Sequence, residues 1–126
     1  MNPRQNIVLI DPDAAIRAAL SFSLGLEGFA VAAFASAEAW LARERLPGNA
    51  CLVLDQHLPG MQGLDLLAAL RQLGIVAPAV IITSNPSRRL RAEAAQAGAA
   101  LVEKPLMGDA LTAAIRHELA TERLAA

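Results

Sequence analysis

The sequence predicts an α/β domain in which a doubly wound, five-stranded parallel sheet carries helices on both faces. Short apolar runs alternate along the chain with longer segments whose Leu, Ile and Ala residues recur every three or four positions. The apolar runs are continuous, as in strands that are buried on both faces, and do not alternate with polar residues. Five repeats of a buried strand followed by a helix are typical of a doubly wound parallel sheet.

The predicted elements follow one another without a linker or a repeat. The predicted strands are 7–10, 30–34, 52–54, 80–82 and 101–102. Four of the predicted helices have core-facing positions at helical spacing, namely Ile16, Leu20 and Leu24; Leu64, Leu67 and Leu70; Leu90, Ala94 and Ala97; and Leu111, Ile115 and Leu119.

Residues at the expected helix ends support these assignments. Asp13 precedes the first helix and Ser36 the second, and both are residue types that accept hydrogen bonds from free amides at a helix start. Gly74 and Gly98 stand where the third and fourth helices should end. The predicted helix boundaries therefore agree with the apolar spacing.

Length and composition indicate one cytoplasmic domain. The chain has 126 residues, and residues 1–126 are expected to form a single domain with its own core. The net charge of -1 gives no electrostatic footprint for direct nucleic acid binding. The single cysteine, Cys51, cannot form an internal disulfide, which indicates a reducing compartment. Glu27 and Glu38 interrupt the apolar stretch 20–42, so no membrane span is expected, and no secretion leader is recognisable.

Polar residues end four of the predicted strands. Asp11, Asp55, Thr83 and Lys104 follow the first, third, fourth and fifth strands. Ligands of open parallel sheets bind at the carboxyl ends of the strands, so we expect these side chains to converge. Lys104 is the only lysine, whereas the other ten basic residues are arginine. Each aspartate taken alone reads as a helix cap, but four polar strand ends on one sheet edge indicate a site.

The residues around these strand ends resemble the receiver domain of bacterial two-component response regulators over nearly the whole chain. The most specific motif is an aspartate followed at fixed spacing by Leu-Pro, Met and Gly. The residues that carry the resemblance are Ile10-Asp11, Leu54-Asp55-Gln56-His57-Leu58-Pro59-Gly60-Met61-Gln62-Gly63, Ile82-Thr83-Ser84, Ala97-Gly98-Ala99 and Glu103-Lys104-Pro105. The stretch 36–41 further resembles receivers that precede a helix-turn-helix output domain. The resemblance implies a flavodoxin-like fold of five strand–helix pairs.

The resemblance implies a phosphorylation switch centred on Asp55. Asp55 would accept a phosphoryl group from a histidine kinase or a phosphotransfer protein. The ammonium of Lys104 and the hydroxyl of Thr83 would contact the phosphoryl oxygens. Such transfer needs positioning and charge neutralisation more than covalent chemistry by the protein. The family also implies a cis peptide bond before Pro105.

The same resemblance implies a Mg²⁺ site, and this sequence departs from it. Asp11, Asp55 and the backbone carbonyl of His57 would be ligands. The family has a second acidic residue after the first, but Pro12 occupies that position and offers neither a ligand nor a backbone N–H. Asp13 is a further acidic candidate, although a helix cap is the simpler interpretation. Because Mg²⁺ prefers a full octahedron of oxygen ligands, we expect weakened binding and impaired phosphorylation.

A second departure concerns the switch itself. In the family an aromatic residue of the fifth strand responds to movement of the threonine, and Leu101 stands at that position. A leucine can pack in or out, but it has no ring whose rotamer reports the movement of Thr83. We therefore expect a smaller difference between the two signalling states.

Partners are implied by the family and by one basic segment. Arg88, Arg89 and Arg91 cluster at the start of the fourth helix, where the helix dipole disfavours cations. They form either a solvated face or a contact surface. The family signals and forms dimers through its fourth helix, fifth strand and fifth helix, so a homodimer and an output domain or downstream protein are the corresponding partners.

Two alternatives to the phosphoacceptor remain open. A degenerate receiver would act as a protein-interaction module without phosphorylation, and Pro12 and Leu101 favour it. A phosphatase of the haloacid dehalogenase type would use Asp11 as nucleophile and Asp13 as acid and base. That reading lacks the acidic strand end such enzymes need after the lysine and leaves the motif after Asp55 unexplained. We therefore expect a signalling module and not an enzyme.

Overall fold

The computed structural model describes residues 5–41, 50–104 and 110–125, with the backbone alone for 121–125. Within these ranges the five predicted strands and the five predicted helices are all present. The strands are β1 Asn6–Ile10, β2 Ala30–Phe34, β3 Ala50–Asp55, β4 His57–Leu58, β5 Met61–Gln62, β6 Ala79–Ser84 and β7 Ala99–Lys104. The helices are α1 Ala14–Leu26, α2 Ala37–Leu41, α3 Gly63–Gln72, α4 Arg88–Gln96 and α5 Ala110–Ala125.

Five strands form one parallel sheet in the order β2-β1-β3-β6-β7. This arrangement confirms the predicted doubly wound sheet. The chain leaves β1 for β2 on one side and returns to β3 on the other, so the strand order reverses between β1 and β3. In folds of this kind the crevice at the carboxyl ends of those two strands is where ligands bind.

The core consists of two apolar layers, one on each face of the sheet. Leu52 and Leu54 of β3 belong to the layer covered by α2, α3 and α4, which we call the α3 layer. Cys51 and Val53 belong to the layer covered by α1 and α5, which we call the α5 layer. All six residues of β3 are buried, which explains why its sequence is apolar without alternation.

The predicted caps of the first two helices are confirmed. Asp13 Oδ1 accepts hydrogen bonds from the backbone N–H groups of Ala15 at 2.9 Å and Ile16 at 3.3 Å. Ser36 Oγ accepts one from the N–H of Ala39 at 3.1 Å. These bonds satisfy amides that have no partner within the helix and fix the entry of the chain into α1 and α2.

The segment after β3 contains a feature that the sequence patterns did not indicate. The strands β4 and β5 form a two-rung antiparallel hairpin between Asp55 and α3, with His57 opposite Gln62 and Leu58 opposite Met61. Two-residue strands are too short to produce a recognisable apolar period. The hairpin places the residues after Asp55 directly in front of the start of α3.

The apolar stretch 20–42 does not form one continuous helix. It includes the end of α1, all of β2 and the described part of α2. Across the parts of the chain that the structure describes, no helix has both the length and the apolar character needed to cross a bilayer.

Substitution by alanine should change the free energy of unfolding in opposite directions at two glycines, one within a helix and one just after a helix. Gly98 follows α4 with a φ of +72°, whereas Gly25 lies within α1, and a Cβ would meet no atom within 4 Å at either position. We expect Gly98→Ala to lower the free energy of unfolding by about 1–2 kcal/mol, since a side chain disfavours the left-handed region. Gly25→Ala should raise it by roughly 0.5–1 kcal/mol. Urea denaturation of both variants measures the difference, and shifts of equal sign would contradict it.

Candidate functional site

Strand alternation places three charged side chains on one face of the sheet at its carboxyl edge. Asp11, Asp55 and Lys104 each lie two positions after a buried residue of the α5 layer, so they continue that face. The preceding residues are Leu9, Val53 and Val102. The backbone N–H of Asp11 donates to Phe34 O at 3.0 Å, which extends the pairing of β1 and β2 by one residue. The site therefore follows from the register of the strands.

The three charged groups meet at the edge, as the strand ends predicted. Lys104 Nζ lies 3.0 Å from Asp55 Oδ1 and 4.0 Å from Asp11 Oδ2. Asp11 and Asp55 are 1% and 3% exposed, and the Lys104 side chain is 26% exposed. Among the described residues, neither of these carboxylate oxygens accepts a hydrogen bond. One ammonium thus faces two buried carboxylates, which leaves negative charge in excess.

Asp11 is held by hydrogen bonds from two residues that follow it in the chain. Its Oδ1 accepts a hydrogen bond from the N–H of Asp13 at 2.8 Å, and its carbonyl oxygen accepts one from Arg17 Nη1 at 2.7 Å. Burial raises the pKa of Asp11, and the nearby Asp55 raises it further. The hydrogen bond from Asp13 and the charge of Lys104 act on this pKa in the opposite direction. Burial is the largest of these influences, so the pKa of Asp11 lies above the usual aspartate value.

Asp13 is used at the start of α1. Its side chain is exposed, and Oδ1 receives the two amide hydrogen bonds that cap the helix. Pro12, between the two acids, supplies neither a carboxylate nor an N–H. The structure thus shows the capping role for Asp13, while its participation in a metal site stays a prediction.

Thr83 and Leu101 lie on the opposite face of the sheet from the charged cluster. Thr83 is 1% exposed, and its hydroxyl donates to the carbonyl of Ser84 at 3.4 Å, a long contact. Leu101 is partly buried and packs against the α3 layer beside its register partner Ile81. Because Thr83 is two positions beyond Ile81, it shares this face with Leu101. Their switching roles stay predictions.

The hairpin contains His57, and it is flanked by two residues, Gln56 and Gly63, whose contacts sequence reasoning did not predict. His57 is exposed, and its backbone pairs with Gln62. Gln56 is buried directly after Asp55. A Cβ at Gly63 would lie 2.6 Å from the carbonyl oxygen of Asp55, so only glycine fits there. The available signals were a glutamine that follows a buried strand and the fixed spacing of the motif glycine.

One predicted feature falls outside the described residues. Pro105, for which the resemblance implies a cis peptide bond, belongs to 105–109, and the structure describes the chain again from Ala110. The cis bond stays a prediction.

Comparison with known proteins places the chain in a family. The sequence model of the family described as response regulator receiver domain matches residues 7–116. The chain belongs to this family. This receiver domain is 37% identical over 122 residues to the transcriptional regulatory protein FixJ of Bradyrhizobium diazoefficiens, covering 94% of this chain and 58% of FixJ. It is 32% identical over 121 residues to the response regulator protein TodT of Pseudomonas putida, covering 94% of this chain and 53% of TodT.

Solved structures agree on the fold. The crystal structure of FixJ-N matches this receiver domain with a TM-score of 0.83 at 33% identity, covering 94% of this chain and 96% of that one. The predicted flavodoxin-like receiver fold is thereby confirmed. The chain spans little more than half the length of the curated relatives it matches. Receiver domains are in general signalling modules of two-component systems and not enzymes.

Receiver domains generally bind Mg²⁺ at an acidic pocket. In this receiver domain the corresponding acids are Asp11 and Asp55. The oxygens that face Lys104, Asp11 Oδ2 and Asp55 Oδ1, accept no hydrogen bond from the described residues, and the two carboxylates outnumber the single ammonium. Carboxylate oxygens are the ligands that Mg²⁺ prefers. Over the described ranges, no group of three or more His, Cys, Asp or Glu side chains converges. The donors therefore fit Mg²⁺ through two carboxylates, with backbone or water oxygens in the other positions.

The raised pKa of Asp11 predicts a pH-dependent gain in stability when its charge is removed. A carboxyl group whose pKa is higher in the folded chain than in the unfolded chain destabilises the fold when it ionises. The resulting loss in free energy of unfolding grows as the pH rises from the ordinary aspartate pKa to the raised pKa of the folded chain. Asp11→Asn should therefore stabilise the protein at pH 7, on the order of 1 kcal/mol. The gain should shrink as the pH falls towards 4, an approximate ordinary aspartate pKa.

Urea denaturation between neutral and mildly acidic pH measures this change. Asp65→Asn is the matched control, because Asp65 is exposed in the first turn of α3. It should lose roughly 0.3–1 kcal/mol of favourable interaction with the helix dipole. A neutral-pH loss of stability in Asp11→Asn would show that its carboxylate charge stabilises the fold.

Proposed function

We propose that residues 1–126 act as one receiver domain that accepts a phosphoryl group on Asp55 from a histidine kinase or a phosphotransfer protein. The observation that supports this most directly is the buried Asp55 carboxylate at the end of the central strand, 3.0 Å from the ammonium of Lys104. Lys104 is positioned to neutralise charge, and Asp55 is positioned to act as the nucleophile. This pairing suits phosphoryl transfer, which depends mainly on position and charge.

The transfer would proceed by direct displacement at phosphorus. One oxygen of Asp55 forms a bond to phosphorus while the bond from phosphorus to the imidazole nitrogen of the donor breaks. That nitrogen keeps the electron pair, and the imidazole takes up a proton from solvent. Lys104 would pair with the phosphoryl oxygens. Thr83 belongs to the other face of the sheet, but it is the penultimate residue of β6, so its hydroxyl would turn towards them over the end of that strand. Leu101 would move with Thr83 without the contrast that an aromatic ring provides.

Mg²⁺ would be held by Asp11, Asp55 and the His57 carbonyl, and when bound it would neutralise charge on the phosphoryl oxygens. Pro12 gives this receiver one carboxylate fewer at that place than the family has, and Asp13 is engaged at the helix start. We therefore propose that phosphorylation is retained but impaired at limiting Mg²⁺. The loss of one charge-assisted ligand, about 1–3 kcal/mol, corresponds to roughly one to two orders of magnitude in affinity.

Pro12→Asp should restore much of the missing affinity. The substitution places a carboxylate directly after Asp11, where the backbone already leads into α1. We expect the Mg²⁺ concentration that half-saturates labelling of Asp55 by acetyl phosphate to fall by roughly 10- to 100-fold. Intact-protein mass spectrometry over a Mg²⁺ series measures the labelling rate.

Three control variants make this result specific. Pro12→Asn removes the proline ring without adding a carboxylate, so it should behave like the wild type. Asp55→Asn should take no label at Asp55. Asp13→Asn keeps an oxygen that can cap α1, and it should leave the Mg²⁺ dependence unchanged if Asp13 serves only as a cap. Equal Mg²⁺ dependence of Pro12→Asp and the wild type would contradict the proposed role of Pro12.

A second candidate function is protein interaction without phosphorylation. The observation in its favour is that Asp11 has no second acid available beside it as a metal ligand. Asp13 caps α1, and Pro12 has no carboxylate. In that case neither the wild type nor Pro12→Asp takes up label. Asp55→Asn would then bind the same partner with the same affinity as the wild type.

We further propose that the face formed by α4, β7 and α5 binds another copy of the domain and passes the signal to an output domain or a downstream protein. Arg88 is exposed at the start of α4, and Arg91 Nη2 lies 3.4 Å from Glu103 Oε1 across α4 and β7. The names of FixJ and TodT as transcriptional and response regulators, and their greater length, support an output function.

Reversal of one exposed charge tests the dimer. Arg88→Glu should weaken self-association by about tenfold, as one lost interface charge contact of 1–2 kcal/mol would do. Light scattering over a concentration series, with and without a beryllofluoride phosphate mimic, measures the dissociation constant. Gln72→Glu at the far end of α3 is the control and should leave it unchanged. A strict monomer at high concentration in both conditions would contradict the proposal.

A further inference from the structure

Gln56 is a buried polar residue that directly follows the proposed phosphoacceptor, Asp55, in the sequence. It is 4% exposed, and each of its four nitrogen and oxygen atoms takes part in a hydrogen bond. Its backbone N–H donates to Ile82 O of β6 at 2.9 Å, and its backbone oxygen accepts from Gly63 N at 3.0 Å. The backbone of Gln56 thus joins the strand beside Asp55 to the start of α3.

The side chain of Gln56 makes two further bonds in the same direction. Its Oε1 accepts a hydrogen bond from the N–H of Leu64 at 3.0 Å, and its Nε2 donates to Gln62 Oε1 at 3.0 Å. The N–H of Leu64 belongs to the first turn of α3, where amides have no partner within the helix. Gln62, the residue at the cap position, provides no side-chain cap. Gln56 therefore caps α3 from its position directly after β3, and we call these two side-chain bonds the Gln56 clasp.

The Gln56 clasp encloses the hairpin that carries His57. Gln62 pairs with His57 in the hairpin, so Gln56 binds the residue opposite the one whose carbonyl is the proposed metal ligand. Between Gln62 and Leu64, Gly63 packs so closely against Asp55 that a Cβ would lie 2.6 Å from the backbone carbonyl oxygen of Asp55. The hairpin and the first turn of α3 are consequently held against Asp55 by hydrogen bonds and by close packing.

We propose that Gln56 is a positioning residue that sets the place of the His57 carbonyl relative to the carboxylate of Asp55. This inference rests on the proposed function and deepens it. The His57 carbonyl matters more in this chain than a backbone donor would beside a full set of acids, because Pro12 supplies no ligand. An apolar side chain of equal length at 56 would fill the space but leave the Leu64 N–H without an acceptor. The first turn of α3 and the hairpin would then settle differently.

Gln56→Met tests the proposal, because it keeps the length of the side chain and removes both clasp bonds. Removal of a group that hydrogen-bonds to a metal ligand and orients it typically lowers metal affinity by about 10- to 100-fold. We expect the half-saturating Mg²⁺ concentration for acetyl phosphate labelling to rise at least about tenfold, with a maximal rate at saturating Mg²⁺ that stays within about threefold. Titration with Mg²⁺ alone, followed by amide chemical shifts, should show the same loss without any phosphoryl donor.

Three further variants separate positioning from a general loss of stability. Ile115→Val removes one methyl group from the α5 layer, away from the clasp, and should destabilise the fold without moving the Mg²⁺ dependence. Gln72→Met makes the same chemical change at an exposed position of α3 and should have no effect. Gln62→Ala removes one clasp bond, and in combination with Gln56→Met it should add nothing further, as expected for residues that act through one contact.

Each outcome decides between the inference and the function on which it rests. A tenfold rise in Gln56→Met that Ile115→Val does not share supports the positioning role. Equal Mg²⁺ dependence of Gln56→Met and the wild type, or an equal shift in Ile115→Val, overturns it. If the wild type takes up no label, the proposed function fails, and the titration with Mg²⁺ alone still decides the role of Gln56. A wild type that binds no Mg²⁺ overturns the inference as well.

Discussion

Two buried carboxylates share one ammonium at the carboxyl edge of the sheet, and the rest of the site depends on this imbalance. Lys104 lies 3.0 Å from the Asp55 carboxylate and 4.0 Å from that of Asp11. Charges that are removed from water interact strongly, but they also lose their hydration, so two acids with one base are costly to bury. The edge of the sheet is therefore a place that favours additional positive charge. Its electrostatics oppose stability and support binding.

The two acids at the start of α1, Asp11 and Asp13, have different roles. Asp11 continues β1 into the pocket, and Asp13 turns outward to accept the first amides of the helix. Pro12 separates them with a fixed φ and no hydrogen-bond donor. Arg17, from the following turn, donates to the Asp11 carbonyl and holds the end of β1 in place. The local sequence is acidic, but only one of these carboxylates is directed to the charged cluster.

The hairpin after β3 connects this cluster to α3. Gln56 joins β6, the hairpin and the first turn of α3 through four hydrogen bonds, and Gly63 permits the backbone of α3 to approach Asp55 closely. Buried amides are costly when they are left without partners, so the complete set of bonds favours one arrangement of this segment. The position of the loop beside Asp55 is thus determined by packing and hydrogen bonds on both of its sides.

The sequence by itself determined the strand and helix order, the caps at Asp13 and Ser36, and the strand-end positions of Asp11, Asp55 and Lys104, because these depend on local periodicity and on the general rule for parallel sheets. The tertiary structure alone decided which oxygen of each carboxylate faces Lys104, and it decided the bonds of Gln56. The first depends on how the ends of β1, β3 and β7 come together, and the second on how the hairpin and α3 fold back against Gln56. A glutamine after a buried strand has no period and no spacing to mark it, and its role exists only once Gln62 and Leu64 fold back against it.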